Sequence, residues 1–204
     1  MTRTAKTAAP RALVADKRFA IHRAAIKVFA GKGFFNSKVS DIAREAGIAD
    51  GTVYLYFKSK EDILHSIFDG AMKEFIEDGK RELERLTSPE DRLRRIAELH
   101  LERLSADRDL AVVFQVELRG STKFMREFSA AGFAEYLEII STTIAEGQRS
   151  SSFRKDIKPI VAAKIFYGAL DEMVTNWILS DKHYPLVPMA GEVTKIFIGG
   201  VAAK

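Results

Sequence analysis

The segment from Gly47 to Leu64, GIADGTVYLYFKSKEDIL, combines side chains that could recognise a nucleic acid. Thr52, Tyr54 and Tyr56 supply hydroxyl groups, the tyrosines also supply flat apolar rings, and Lys60 supplies a cation. Hydroxyl and ammonium groups bind phosphate oxygens, and hydrogen-bonding side chains can also reach base edges in the major groove. A helix that only faces solvent seldom exposes tyrosine where glutamate or lysine would serve. The segment therefore predicts a DNA-contacting surface.

The other polar groupings do not form a catalytic or metal-binding pattern. Glu117 near Arg119, and Asp171 beside Glu172, lie in apolar helical stretches, where buried hydrogen bonds or salt bridges are a more ordinary explanation than acid–base chemistry. The four histidines lack metal-ligand spacing: His22, His65, His100 and His183. No nucleophile accompanies a base, and there is no glycine-rich phosphate loop. We therefore expect a protein that is not an enzyme and that has no cofactor.

Charge is distributed unevenly along the 204 residues. Residues 1–60 contain twelve lysines and arginines but only four acids, a net charge of +8, whereas the remainder carries −4. A basic front on an acidic body favours a polyanion-binding module joined to a domain with a different task. The chain has no cysteine and no apolar run of membrane-spanning length, so we expect a soluble, cytoplasmic protein without a membrane partner.

The apolar residues recur at helical spacing, which predicts an all-α fold. A first helix ends at Gly31 or Gly33, and Ser37 is the expected N-cap of a short second helix that Gly47 stops. A third helix is expected over about 50–57. Ser59 with Asp62 forms a capping-box pattern, and Ser88-Pro89 marks another helix start. Further helices are expected over 107–119, 122–149, 158–180 and 188–202.

Two short helices around Gly47, after a longer first helix, predict a helix-turn-helix unit. Ile48, Val53 and Phe57 would hold the third helix in place and leave its polar face outward. The predicted organisation is a disordered basic arm over 1–15, a helix-turn-helix DNA-binding domain over 16–60, and a larger ligand-binding and dimerisation domain over 61–204.

The stretch SKVSDIAREAGIADGTVYLYFKSKEDIL resembles the DNA-binding signature of the TetR family of bacterial transcriptional regulators. The resemblance implies about nine helices, a homodimer, a divergent ligand-binding body, and repression by binding double-stranded, palindromic operator DNA. Asp50 would cap the recognition helix or accept a hydrogen bond from a cytosine amine. The positions expected to meet DNA are Ser37, Lys38, Ser40, Asp50, Gly51, Thr52, Tyr54, Tyr56 and Lys60.

In the body, LAVVFQVELRGS and IFYGALDEMVTNWILSDKHYPLV are similar to segments of a TetR subgroup, the acyl-CoA-responsive repressors of fatty-acid degradation (FadR type). That resemblance implies long-chain acyl-CoA as effector. Aromatic stripes on three helices would line an apolar tunnel, and Arg119, Lys123 and Arg126 would meet the phosphates of the ligand at its mouth. The full expected set is Leu110, Phe114, Leu118, Arg119, Lys123, Phe124, Arg126, Phe128, Phe166, Tyr167, Leu170, Val174 and Trp177.

Two alternatives stay open at this point. The same architecture could respond to another hydrophobic molecule, such as a drug or an aromatic metabolite. The protein could also bind DNA with no small ligand, in which case the aromatic residues of the body form only a core. The last two helices, from Pro159 onward, are expected to form the homodimer contact.

Overall fold

The computed structural model of the chain describes residues 8–117, 119–120, 126 and 132–203. These residues form nine helices and no strand, with one isolated bridge between Phe153 and Ala202. The helices are α1 Ala8–Lys32, α2 Val39–Glu45, α3 Asp50–Tyr54, α4 Lys60–Leu83, α5 Pro89–Ser105, α6 Arg108–Val112, α7 Gly132–Arg149, α8 Pro159–Leu179 and α9 Met189–Val201. A π-helical turn, Val113–Glu117, follows α6 directly. The predicted all-α fold class is confirmed.

The chain divides into two compact units, Met1–Phe68 and Asp69–Lys204, with the boundary inside α4. The core of the N-terminal unit contains Ile21, Phe29, Ile42, Val53 and Phe57, all nearly inaccessible to solvent. These residues come from α1, α2, α3 and the segment after α3, so one apolar cluster fixes the three helices against each other.

The C-terminal unit has a larger core, built mainly from α5, α7, α8 and α9. Leu93, Leu101, Ile140, Phe166 and Leu170 have no accessible surface. A Cβ added at Gly147 in α7 would lie 2.1 Å from the ring of Phe153, so only glycine allows this buried phenylalanine to pack against the helix. No helix within the described ranges is long and apolar enough to cross a membrane.

Two predicted caps are confirmed and one is wrong. Ser88 accepts a hydrogen bond from the backbone N–H of Asp91 (3.3 Å), and Ser59 accepts one from Asp62 (3.2 Å). Ser37, however, is buried and its hydroxyl donates to the carbonyl of Gly33 (2.7 Å), because the chain folds back there. Lys38 takes the N-cap position of α2 instead, and its N–H donates to Asp41 Oδ2 (3.1 Å).

Several helix limits also differ from the prediction. The third helix ends at Tyr54, short of the expected 57, and α1 begins at Ala8, inside the stretch 1–15 predicted as an arm. Residues 1–7 lie outside the described residues, as does most of 118–131, so the predicted helix over 122–149 is described chiefly from Gly132 onward.

Candidate nucleic-acid interface and effector site

A left-handed glycine makes the turn between α2 and α3. Gly47 has φ +66°, its N–H donates to Arg44 O (3.2 Å), and the N–H of Ile48 donates to Ala43 O (3.0 Å). This pair of bonds is the Schellman ending of a helix, which satisfies terminal carbonyl groups and turns the chain sharply. Only four residues, 46–49, therefore separate the end of α2 from the start of the recognition helix α3.

Helix α3 has one buried face and one solvent face. Val53 is buried, whereas Asp50, Gly51 and Tyr54 are exposed and Thr52 is half-buried. Tyr54 keeps 57% of its surface accessible and Leu55 keeps 80%. A phenol and a leucine that are this exposed in a charged unit are typical of a contact surface. The structure thus places Asp50, Gly51, Thr52 and Tyr54 in α3, whereas Tyr56, also expected on this helix, lies after its end and is half-buried.

Asp50 does not cap α3. Ala49 occupies the N-cap position, and Asp50 is the first helical residue, where its charge is favourable to the helix dipole. Of the two roles expected for this acid, only acceptance of a hydrogen bond from a base remains a prediction.

The predicted residues at α2 and α4 divide into exposed and internal groups. Lys38 is exposed and Ser40 is half-buried, whereas Ser37 is buried. The Lys60 ammonium donates to three backbone carbonyls, those of Phe34 (2.9 Å), Phe35 (3.2 Å) and Ser37 (3.0 Å). An ammonium has three N–H donors, so Lys60 has none left for a phosphate in this arrangement. Its observed contacts tie the start of α4 to the loop between α1 and α2.

Arg18 is an internal cation that sequence reasoning counted only as surface charge. Its guanidinium donates to the carbonyl of Tyr56 (3.0 Å) and to the hydroxyl of Ser66 (3.2 Å), and it lies 4.3 Å from the centre of the Phe57 ring. His22 Nε2 lies 3.0 Å from the same Ser66 hydroxyl, and burial, followed by the nearby Arg18 charge, lowers the pKa of His22. These contacts join α1 to α4 and to the segment that follows α3.

The C-terminal unit contains a buried group of polar side chains, here called the polar cluster: His100, Gln115, Tyr136, Tyr167 and Asp171. The Asp171 carboxylate accepts hydrogen bonds from Gln115 Nε2 (2.9 Å) and from the Tyr167 hydroxyl (2.9 Å), and it forms an ion pair with Arg119. A buried carboxylate is tolerated only with such partners. The expectation of buried hydrogen bonds is confirmed for Asp171, but its ion-pair partner Arg119 lies in a turn, so this salt bridge does not join two helices.

The π-helical turn supplies Gln115 to this cluster. The turn places Gln115 among the buried residues, with its Oε1 3.3 Å from the Thr175 hydroxyl and its Nε2 on Asp171. A π-turn makes a local change in helix register, and such turns are frequent at functional sites. Nothing in the local sequence VVFQVE distinguishes it from an ordinary helix, so sequence reasoning missed it.

His100 and Tyr136 form the second half of the polar cluster. The His100 Nδ1 atom lies 3.0 Å from the Tyr136 hydroxyl, and the two rings stack with their centres 5.8 Å apart. Burial lowers the pKa of His100 to about 4, so the imidazole is neutral near pH 7. Burial also raises the pKa of both Tyr136 and Tyr167. Sequence reasoning considered His100 only for metal-ligand spacing and missed this contact, because Tyr136 lies 36 residues away.

The expected effector residues lie in different environments. Phe166, Leu170 and Val174 have no accessible surface, and Leu110 is nearly buried. Phe114 and Trp177 are half-buried, and the indole N–H of Trp177 donates to Tyr184 O (3.0 Å). Arg126 is exposed. Four of the expected residues lie outside the described part of the chain: Leu118, Lys123, Phe124 and Phe128.

One groove of about 440 Å³ lies on the surface of the C-terminal unit, between α4, α5 and α7. None of the expected effector residues lines it. Its rim carries Glu84, Glu135, Glu138 and Glu146, with Lys80 bound to Glu135 (2.6 Å) and Arg92 bound to Glu146 (2.5 Å). The excess of acids makes this groove unsuitable for a phosphate-bearing ligand.

Two family models match the chain in succession. Residues 21–67 match "Bacterial regulatory proteins, tetR family", and residues 68–200 match "YsiA-like protein, C-terminal region". The chain belongs to the TetR family. It is accordingly a DNA-binding transcriptional regulator and not an enzyme, as its sequence predicts.

Similar proteins cover nearly the whole of this TetR-family regulator. The fatty acid metabolism regulator protein of Bacillus subtilis (strain 168) is 36% identical over 89% of this chain and 93% of its own length. The crystal structure of FadR from Bacillus subtilis in complex with stearoyl-CoA has a TM-score of 0.84 at 34% identity, covering 89% of this chain and 98% of that one. The structure of FadR from Bacillus halodurans has a TM-score of 0.83 at 35% identity, covering 89% of this chain and 97% of that one.

Proposed function

We propose that this TetR-family protein represses genes of fatty-acid degradation and that long-chain acyl-CoA releases it from its operator. The observation that carries the proposal is the similarity to a FadR structure solved with stearoyl-CoA, at 34% identity over 89% of this chain. That coverage includes most of the C-terminal unit. An effector role for acyl-CoA is therefore favoured over a drug or an aromatic metabolite.

The DNA interface in this proposal is the exposed face of α3 with the start of α2. Tyr54 and Thr52 would reach into the major groove, and Lys38 would bind phosphate. Asp50, Gly51, Tyr56 and Ser40 complete the surface. Lys60 and Ser37 support it from inside, since both are bonded to backbone carbonyls around the loop that precedes α2.

A homodimer through α8 and α9 is the second part of the proposal. Val161, Ile165 and Leu179 of α8 expose 46%, 60% and 71% of their surface, and Ile196 of α9 exposes 75%. Gly168, Gly199 and Gly200 on the same two helices are exposed and would allow close approach of a partner. Ala162 of α8, in contrast, is buried in the core and lies outside this surface. A second copy fits this surface because two-fold symmetry makes an apolar face self-complementary and matches a palindromic operator.

The effector would enter the C-terminal unit beside the polar cluster. Phe166, Leu170 and Val174 are tightly packed, so an acyl tail among them must displace or reorder side chains. Arg119 is bound to Asp171, so a ligand phosphate would share or compete for this guanidinium. Arg126 is exposed and would contribute a second cation.

The proposal is tested with operator DNA that the purified protein selects from a pool of random duplexes. We expect a palindromic sequence, and we expect stearoyl-CoA to weaken its binding about a hundredfold, as roughly 3 kcal/mol of coupling would produce. Stearate and free coenzyme A should have little effect. Tyr54→Ala should lose operator affinity while its affinity for stearoyl-CoA, measured by calorimetry, stays unchanged.

Two results would reject parts of the proposal separately. Operator that stays bound when calorimetry shows the body saturated with stearoyl-CoA would reject the switch. Absence of stearoyl-CoA binding would reject the effector, and mass spectrometry of the purified protein would then identify a different retained ligand.

A further inference from the structure

His100 has a nitrogen atom with no hydrogen-bond partner in the described part of the chain. Its Nε2 atom is buried without a partner, although Nδ1 lies 3.0 Å from the Tyr136 hydroxyl. Buried polar atoms in folded proteins are nearly always paired, and an unpaired one is unfavourable, so each exception needs an explanation. A bound ligand would supply the missing partner.

The surroundings of this nitrogen are aromatic. The His100 ring stacks on Tyr136 of α7, and the rings of Phe75 in α4 and Tyr167 in α8 meet it edge-on at 6.3 and 6.0 Å between centres. The ring of Phe133 also packs on Tyr167, with 4.7 Å between the ring centres. The imidazole thus lies among flat apolar surfaces contributed by three other helices, which suits an acyl chain.

The direction of the hydrogen bond between Tyr136 and His100 sets which nitrogen carries the imidazole proton. Among the described residues, His100 Nδ1 is the hydrogen-bond partner of the Tyr136 hydroxyl. If the phenol donates to Nδ1, the proton of the neutral imidazole lies on Nε2. The unpaired atom is then an N–H donor, which calls for an acceptor.

The charge nearby restricts the acceptor to a neutral one. The Asp171 carboxylate accepts a hydrogen bond from Tyr167, whose ring meets His100 edge-on. A carboxylate or phosphate brought beside His100 would lose its hydration in a buried site, and the guanidinium of Arg119, which could balance it, is already paired with Asp171. A neutral carbonyl oxygen suffers neither penalty. Among the parts of an acyl-CoA, the thioester carbonyl is the neutral acceptor attached directly to the apolar chain.

We propose that the Nε2–H of His100 donates a hydrogen bond to the thioester carbonyl oxygen of the bound acyl-CoA. The inference rests on the proposed function and deepens it, because it gives the polar cluster a role in distinguishing an acyl thioester from a free fatty acid. Tyr136 is a positioning residue in this scheme, since it acts through the His100 tautomer.

The test compares two ligands that differ only at the carbonyl: stearoyl-CoA and S-octadecyl-CoA, a thioether in which CH₂ replaces C=O. Calorimetry on the wild-type protein should show stearoyl-CoA binding about tenfold more tightly. In His100→Phe the two affinities should converge, because the donor is gone while an aromatic ring still fills the site. His100→Gln, whose amide can donate, should restore part of the preference, and Tyr136→Phe should reduce it. Operator binding by each variant confirms that it is folded.

Equal affinity of the two ligands for the wild-type protein overturns the inference while leaving the effector intact. The inference is also overturned if His100→Phe keeps the full preference for stearoyl-CoA over S-octadecyl-CoA. If that variant does not fold, the same preference in Tyr136→Phe is the deciding measurement. If neither ligand binds the wild-type protein, both the effector and the carbonyl contact are rejected.

Discussion

At the scale of single residues, the burial of His100 predicts how stability depends on pH. Its pKa is lowered by burial from an ordinary value of 6.5 to about 4 in the folded protein. Between these values the unfolded chain takes up a proton that the folded protein does not, so the free energy of unfolding falls as pH falls from 6.5 towards 4. The loss attributable to this residue reaches about 2 kcal/mol at pH 5.

Urea denaturation at pH 7.5 and at pH 5 measures this effect. His100→Phe should lose less stability than the wild type between the two pH values, by about 2 kcal/mol. His183→Phe, at an exposed position, is the matched control and should behave like the wild type. An identical pH dependence in wild type and His100→Phe would contradict the buried, neutral state of this histidine.

We expect substitution of Lys60 and of Lys38 to affect the salt dependence of operator binding differently, because Lys60 is bonded internally and Lys38 is exposed. Lys60→Met should cost about 2 kcal/mol of unfolding free energy, since three carbonyls lose a charged donor. It should also weaken operator binding without changing the dependence of log K on log salt concentration. Lys38→Met should leave stability unchanged and reduce that slope by about 0.9.

Operator titrations at several salt concentrations separate the two roles. Lys60→Met could instead lower the salt-dependence slope by one phosphate contact and leave the free energy of unfolding unaltered. That result would support the DNA contact that the sequence alone predicts for Lys60.

At the scale of secondary-structure elements, the turn between α2 and α3 depends on the backbone of Gly47. Alanine at φ +66° is strained by about 1 kcal/mol, even though a Cβ would meet no atom within 4 Å. Gly51 is the matched control, because it also has open space but lies within α3 at an ordinary helical conformation. Gly51→Ala should therefore stabilise the protein or leave it unchanged.

Chemical unfolding of the two alanine variants gives the comparison. The strain argument fails if Gly47→Ala is as stable as Gly51→Ala. Because Gly51 lies on the proposed DNA surface, operator affinity is not used for this pair.

At the scale of the whole molecule, the exposed apolar faces of α8 and α9 predict the oligomeric state. Ile165→Glu combined with Ile196→Glu should convert a dimer into a monomer at micromolar concentration, since each dimer would bury four unpaired carboxylates. The affinity for operator should fall when the dimer becomes a monomer, because one recognition helix reads only half of a palindrome. Val116→Glu, an exposed position of the same unit outside α8 and α9, is the control.

Light scattering of the wild type and both variants decides this prediction. A wild-type protein of monomeric mass, or a double variant that remains dimeric, would exclude α8 and α9 as the contact.

Binding of DNA and effector must also be linked reciprocally. If stearoyl-CoA lowers operator affinity a hundredfold, saturating operator must lower stearoyl-CoA affinity by the same factor. Calorimetric titration of the protein with stearoyl-CoA, with and without saturating operator, measures this second factor. Unequal factors would show that the two ligands are not competing through two states of one dimer.

The sequence by itself determined the all-α fold, the helix-turn-helix and the family. Helical periodicity, the Ser88-Pro89 start and the turn at Gly47 depend on residues close together in the chain, and local hydrogen bonds and dihedral preferences act over that range. The outward position of Tyr54 follows for the same reason. Helical spacing directs Val53 and Phe57 into the core, so Tyr54 between them must face away from the core.

Only the tertiary structure decided the partners of the polar residues. The three carbonyls that bind Lys60 lie 23 to 26 residues earlier, and Gln115 meets Asp171 across 56 residues. A lysine at a helix start and a histidine within an apolar stretch look the same in sequence whether solvent or protein surrounds them. Their chemistry is determined by burial and by the groups that folding brings within about 3 Å, because hydrogen bonding and desolvation act at that distance.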